Sequence, residues 1–310
     1  MKRLLQLKRA IQSMEDNPQD QVPFLEEAAA LGDYDSIRTL IHCYTYGDYG
    51  LEPDPVQACR YTVLGAQLGE GWCLYNAAIC AQEGRGCPVD LPQAMTWMKQ
   101  AAAADVPEAW LPCARMLMSR EKDFAEARRL ICHAIAHGQE EEGRLLLGRL
   151  CSEEGMNLIE DGKHRAAEQV LLEGAALDDA DCLVSLAFEY SIEDGVGQDP
   201  QKTFDCSMRA ADLGHPAGMY NVSMCLREGV GTAQDPRKAF EWMKNAAKSG
   251  FDEAALPLAQ HYHYGIGVHP DDRQARFWLE KALETEQDPD CREMAQKLKQ
   301  KLEAQAQPQS

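Results

Sequence analysis

An all-α fold, an α-α superhelix or solenoid of stacked helix pairs, is what this sequence predicts, and three observations carry the prediction. The first is a period. The ending AAKSGFDEA of the stretch from Gly214 to Gly250 returns upstream as AAAADVPEA and AADLGHPAG. One marker position runs Gly32, Gly69, Asp105, Gly138, Asp178, Gly214, Gly250 and Glu286, in steps of 37, 36, 33, 40, 36, 36 and 36 residues. A fixed period between about 20 and 50 residues means stacked supersecondary units in place of one globular core. The second observation is two columns of small residues seven positions apart, which share one helix face. The third is regular punctuation by Asp-Pro and by glycine pairs.

The small-residue columns mark the second helix of each unit. One runs Ala58, Ala94, Ala127, Ala167, Thr203, Ala239 and Ala275; the other runs Gly65, Ala101, Ala134, Gly174, Ala210, Ala246 and Ala282. Small side chains there let helix axes approach closely. Three residues after the first column stand Tyr61, Trp97, Leu130, Val170, Cys206, Trp242 and Trp278, mostly large and suited to burial between neighbouring units. Asp54-Pro55, Asp199-Pro200 and Asp235-Pro236 place an N-cap acceptor before a proline at the first helical position. Asp90 and Asp271 start the equivalent helices without an adjacent proline. Gly69, Gly214 and Gly250 suit left-handed C-caps.

The first helix of each unit has its own column, Ala78, Ala114, Ala187, Ser223, Ala259 and Ala295. Tyr44, Ala81, Leu117, Tyr190, Leu226, Tyr262 and Leu298 form a second one. Glycine pairs end these helices at Gly84/Gly86, Gly195/Gly197, Gly229/Gly231 and Gly265/Gly267, with a looser Gly47/Gly50. Two units depart from the pattern. The one near SREKDFAEA has the short step and no glycine pair, and the one near GMNLIEDGKHRAAEQ has the long step and no Asp-Pro start. Both keep the alanine columns and read as degenerate units.

These features give about eight helix pairs and a final capping helix. Residues 1–32 are expected to form an N-terminal capping pair. Seven repeats follow at 33–69, 70–105, 106–138, 139–178, 179–214, 215–250 and 251–286, then a capping helix at 287–303 and a disordered tail at 304–310. A bend is expected at the degenerate units.

Taken together, the motifs resemble the Sel-1-like repeat family, relatives of the tetratricopeptide repeats. Residues 215–250 match nearly every element of the family pattern, and 251–286, with YHYGIGVHPDDRQARFWLEKA, almost as many. The resemblance spans about residues 20–300. It implies a right-handed superhelix serving as a protein-interaction scaffold, in a family whose members commonly have no catalytic activity of their own. It also gives asparagine at Asn76 and Asn221 a role in holding an extended peptide backbone, against which stands a bond to the preceding helix. Secreted cysteine-rich relatives carry a disulfide in each unit. Here Cys73 and Cys182 occupy the later half of that pair, and Ala66 and Ala175 the earlier half.

Charge narrows the function. The net charge is −19, from 50 acidic and 31 basic residues, with no basic stripe. Nucleic-acid binding needs such a stripe to neutralise phosphate, so it is not expected. An acidic surface favours a basic partner, and it also simply keeps a long chain soluble. No run approaches the ~20 apolar residues of a membrane span, so no membrane insertion is expected. The N-terminal MKRLLQLKRAIQSMEDN resembles an organelle-targeting peptide in its basic residues but reads better as a structural helix. Of the twelve cysteines, Cys43, Cys80 and Cys225 share a column, yet stacked units ~10 Å apart are too distant for disulfides. The thiols are read as reduced core fillers and the compartment as cytoplasmic.

No constellation for chemistry emerges. His261, His263 and His269 raise a metal site, but the first two point to different helix faces and read as surface or loop histidines. Ser119-Arg120-Glu121-Lys122 matches S-x-x-K without the S-D-N and K-T-G partners of a β-lactamase. The expectation is therefore no catalytic residue, no metal and no cofactor. The leading function is a non-catalytic scaffold that holds a protein or peptide partner on the inner surface made by the first helices. Candidate contacts are Arg38, His42, Tyr75, Asn76, Arg115, Tyr220, Asn221, Met224, Gln260 and Tyr264. The alternatives are an immunity or inhibitor protein that neutralises a basic toxin or effector enzyme, and a hydrolase or a redox or metal-handling protein. Oligomeric state is left open.

Overall fold

A computed structural model describes residues 2–14, 17–285 and 289–306. Its regular structure among those residues is entirely helical. The chain divides into two compact units, Met1–Leu146 and Leu147–Ser310. The first holds α1 (Lys2–Ser13), α2 (Pro18–Ala30), α3 (Tyr34–Tyr46), α4 (Pro55–Gln67), α5 (Gly71–Glu83), α6 (Leu91–Ala103), α7 (Pro107–Met116) and α8 (Phe124–Ala136). The boundary falls within α9 (Glu140–Glu160). The second unit continues with α10 (His164–Ala176), α11 (Ala180–Glu189), α12 (Pro200–Asp212), α13 (Pro216–Glu228), α14 (Pro236–Lys248), α15 (Ala255–Tyr264), α16 (Asp272–Thr285) and α17 (Pro289–Ala306). Within each unit consecutive helices pack on one another, as the repeat requires.

The aspartates cap as their positions demand. Asp54, Asp90, Asp199, Asp235 and Asp271 each accept a backbone N–H from the first turn of α4, α6, α12, α14 and α16. Asp123 does the same for α8 in the degenerate repeat, bonding the Glu126 amide. The other degenerate repeat breaks the rule, where Lys163 precedes α10 without a side-chain cap. The marker column lies in the left-handed region from Gly32 (φ +83°) to Gly250 (φ +86°). Asp105 (φ +57°) and Asp178 (φ +59°) adopt it too, which aspartate tolerates better than most residues. The last marker, Glu286, lies outside the described residues, as do the expected start of the capping helix at 287 and the tail residues 307–310.

Both degenerate repeats have local causes. The 40-residue step comes from α9, which is 21 residues long where most of its counterparts have 13 or fewer. The short step comes from a π-helical turn, Leu117–Glu121, that carries α7 almost directly to α8.

Apart from the half-buried Ala58, the small-residue columns of the second helices are buried, with Ala101, Ala134, Ala210 and Ala246 fully so. Their partners complement them in volume. A Cβ on Gly65 would lie 2.3 Å from Cys73 Sγ, and one on Gly174 would lie 2.3 Å from Cys182 Sγ. The equivalent pairs elsewhere are Ala246 with Ala254 and Ala210 with Gly218. Cys73 and Cys182 therefore fill the space a glycine leaves on the facing helix, and among the described residues no cysteine is in a disulfide.

The glycine pairs set the distance between repeats. A Cβ on Gly86, Gly231 or Gly267 would meet the carbonyl oxygen of Pro55, Pro200 or Pro236 at 2.0, 2.0 and 1.9 Å. Each loop thus rests directly on the first turn of the preceding repeat's second helix, an approach closed to any other residue.

Candidate functional site

In the first unit α3, α4 and α5 enclose a pocket of about 520 Å³. The sequence builds it from residues four apart on two helices, Arg38, His42 and Tyr46 on α3 and Trp72, Asn76 and Cys80 on α5. That spacing puts each trio on one helix face. Pro53, Pro55, Ala58, Cys59, Thr62 and Arg85 are also among the lining residues. Tyr46 and Trp72 are exposed by 70% and 46%, so large aromatic surface faces the opening.

The polar groups are partly committed. His42 Nδ1 lies 3.0 Å from Asp48 Oδ2, and Arg85 pairs with Glu83. Arg38 makes no ion pair among the described residues. Asn76 Nδ2 donates to its own helix at Trp72 O (2.8 Å) and not to the preceding helix. The wall behind the pocket is braced by Tyr44 and Tyr61, stacked at 5.8 Å, whose hydroxyls both lie 3.3 Å from Glu26 Oε1. Burial, reinforced by the Glu26 carboxylate, pushes the Tyr61 phenol up to about 12.

Of the expected contact residues, the structure gathers Arg38, His42 and Asn76 around this pocket. Tyr75, next to Asn76 on α5, is half-buried and not among the residues lining it. Arg115 is held by Glu142 at 2.6 Å. In the second unit Tyr220 and Met224 pack against the core of α14–α16, with the Tyr220 ring 5.3 Å from Phe251. Asn221 and Gln260 are half-buried. Tyr264 is exposed and carries Lys301 Nζ 4.9 Å above its ring. Sequence reasoning missed Tyr46, Trp72 and Arg85, although the four-residue spacing of Arg38, His42 and Tyr46 was there to be read.

Of the three histidines, His261 departs most from expectation. His261 is a core residue, 1% exposed, with Nδ1 2.9 Å from Ile266 O, and it closes its own loop instead of facing solvent. His263 reaches Asp272 at 2.8 Å and His269 is exposed. Among the described residues no three His, Cys, Asp or Glu side chains are grouped to hold a metal ion. Ser119 Oγ donates to Arg115 O (2.9 Å) in the π-helical turn, so its hydroxyl is spent on its own backbone. No helix among the described residues is long and apolar enough to cross a membrane.

The Sel1 repeat matches residues 42–70, 73–106, 179–215, 216–251 and 252–284, more than half of the chain. The chain belongs to the Sel1 repeat family. The unmatched stretch between the second and third of these Sel1 repeats holds the two degenerate ones. A Sel1 repeat protein from Oxalobacter formigenes has the same fold, with a TM-score of 0.60 at 23% identity over 90% of this chain and 80% of that one. A protective antigen of uropathogenic Escherichia coli with an SLR fold aligns at a TM-score of 0.55 and 23% identity, covering 95% of this chain. The chain spans 66% of that antigen's length, just under two thirds. No curated protein matches.

Proposed function

We propose that this Sel1 repeat chain is a non-catalytic scaffold that binds a protein partner by seating an extended segment in the α3–α5 pocket. The observation that carries the reading is the convergence of Arg38, His42 and Asn76 with the exposed rings of Tyr46 and Trp72 around one cavity. Aromatic and arginine side chains at a concave site are the usual anchors of a protein interface. No carboxylate lines the cavity, and of the cationic side chains that line it Arg38 is the one with no ion pair among the described residues. The segment it suits presents a carboxylate to Arg38 and an apolar side chain to Trp72. The pocket chemistry therefore favours an acidic segment, whereas the net charge of −19 favours a basic partner at long range.

The test is selection of displayed peptides against the full chain, followed by affinity measurement on Arg38→Glu and Trp72→Ala variants. Each is expected to weaken selected peptides by at least about tenfold. Peptides that bind both variants as tightly as the parent would place the binding surface elsewhere.

A further inference from the structure

Three cysteines meet at one place in the first unit. In the repeat register Cys59, Cys80 and Cys87 stand where later repeats have Phe204, Cys225 and Thr232, then Phe240, His261 and Val268. These positions touch across neighbouring repeats, since the Phe240 and His261 rings are 6.2 Å apart and Val268 packs on the same core. Around the cysteines, a Cβ on Gly86 would sit 3.0 Å from Cys59 Cβ, so the residue before Cys87 lies on Cys59. Cys59 and Cys80 face the α3–α5 pocket together, while Cys59 and Cys87 line a second cavity on the opposite side of α4. The neighbouring thiols of Cys87 and Cys80 add to burial in raising the Cys59 pKa.

We propose that Cys59 and Cys87 form a peroxide-reactive dithiol site, which a hydroperoxide converts to an intramolecular disulfide while Cys80 stays a thiol. Access sets the buried Cys59 apart from Cys80 and Cys87, which are both partly exposed, Cys80 within α5 and Cys87 on the loop after it. Cys59 is 4% exposed and burial pushes its thiol up to about 12, and burial raises Cys80 as well, so both remain protonated at neutral pH. Cys87 is half-exposed on the loop after α5. Its thiolate attacks one peroxide oxygen, the O–O bond breaks, and the departing hydroxide takes up the proton Cys87 has shed, leaving water and a sulfenic acid. Cys59 sulfur then attacks the Cys87 sulfur. The S–O bond breaks and the hydroxyl leaves as a second water with the Cys59 proton. Two thiols and one hydrogen peroxide thus give one disulfide and two waters. Cys151 and Cys182 also adjoin each other, across Gly174, but both are 0% exposed and shut off from oxidant.

The experiment treats the reduced full chain with about one equivalent of hydrogen peroxide, alkylates what remains and maps the peptides without reduction. Trypsin cuts after Arg60 and Arg85 and so puts the three sulfurs on separate peptides. The expected product links the peptide ending at Arg60, through Cys59, to the peptide beginning at Gly86. Dithiothreitol should reverse it, Cys87→Ser should abolish it and Cys80→Ser should leave it. Cys87→Ser alters a loop side chain, and its helical circular dichroism checks that it folds. Full alkylation of Cys59 and Cys87 while other cysteines oxidise would overturn the proposal. So would a Cys59–Cys80 or Cys151–Cys182 link formed first.

Discussion

Gly65 and Cys73 show how one residue's volume is set by its neighbour. With 2.3 Å between a Cβ at 65 and Cys73 Sγ, Gly65→Ala overpacks a site where Cys73 is fully buried. It is expected to cost about 1–3 kcal/mol in urea denaturation. The double change Gly65→Ala/Cys73→Ala recreates the Ala246/Ala254 pair of a later repeat and should recover most of that loss, a coupling a double-mutant cycle reads directly. His261 adds a pH dependence. Burial holds its pKa below the ordinary histidine value, and Arg227 adds to this, against a weaker opposing bond to Ile266 O. The unfolded chain therefore binds a proton at a pH where the folded chain does not. That stability is complete above the ordinary histidine pKa and is lost as pH falls from there toward the depressed folded value. The melting temperature should drop between pH 7.5 and 5.5, and His261→Leu should shrink the drop; an unchanged drop would exclude His261 as its source.

At the scale of helices, caps and loops carry the order. Asp33 starts α3 by accepting from the Ser36 amide (3.2 Å) and hydroxyl (2.7 Å), and Lys8 Nζ of α1 lies 2.6 Å from it. Burial pushes the Asp33 carboxyl up, but the Lys8 and Ser36 donors outweigh this and hold it below the usual carboxylate range. Asp33→Ala is expected to lose about 1–2 kcal/mol. Asp33→Asn should keep the cap, lose the Lys8 attraction and fall between the two; equal losses would mean that the cap contributes nothing. Because the folded pKa is depressed, this contribution is present above the unfolded carboxylate pKa and fades as pH falls through the folded one. Asp-Pro starts and positive-φ ends were legible in the sequence because they depend on the chain within four residues. The 21-residue α9 and the π-helical turn were not, since the repeat spacing alone does not say whether extra or missing residues sit in helix or loop.

For the chain as a whole, a net charge of −19 over 310 residues sets up self-repulsion. Raising salt from about 10 mM to 0.5 M should screen it and increase the melting temperature; a fall would show that specific ion pairs such as Lys8–Asp33 dominate. The sequence by itself determined the helix pairs, their period, their family and the buried small columns. Each follows from local backbone preference and from a pattern that recurs often enough to be read without coordinates. Tertiary structure alone decided which first-helix residues share a pocket, why Cys73 faces Gly65, and that Cys59, Cys80 and Cys87 meet. Those facts depend on how far each helix is rotated about its axis and how closely neighbouring repeats approach, and both are fixed by packing between side chains distant in sequence.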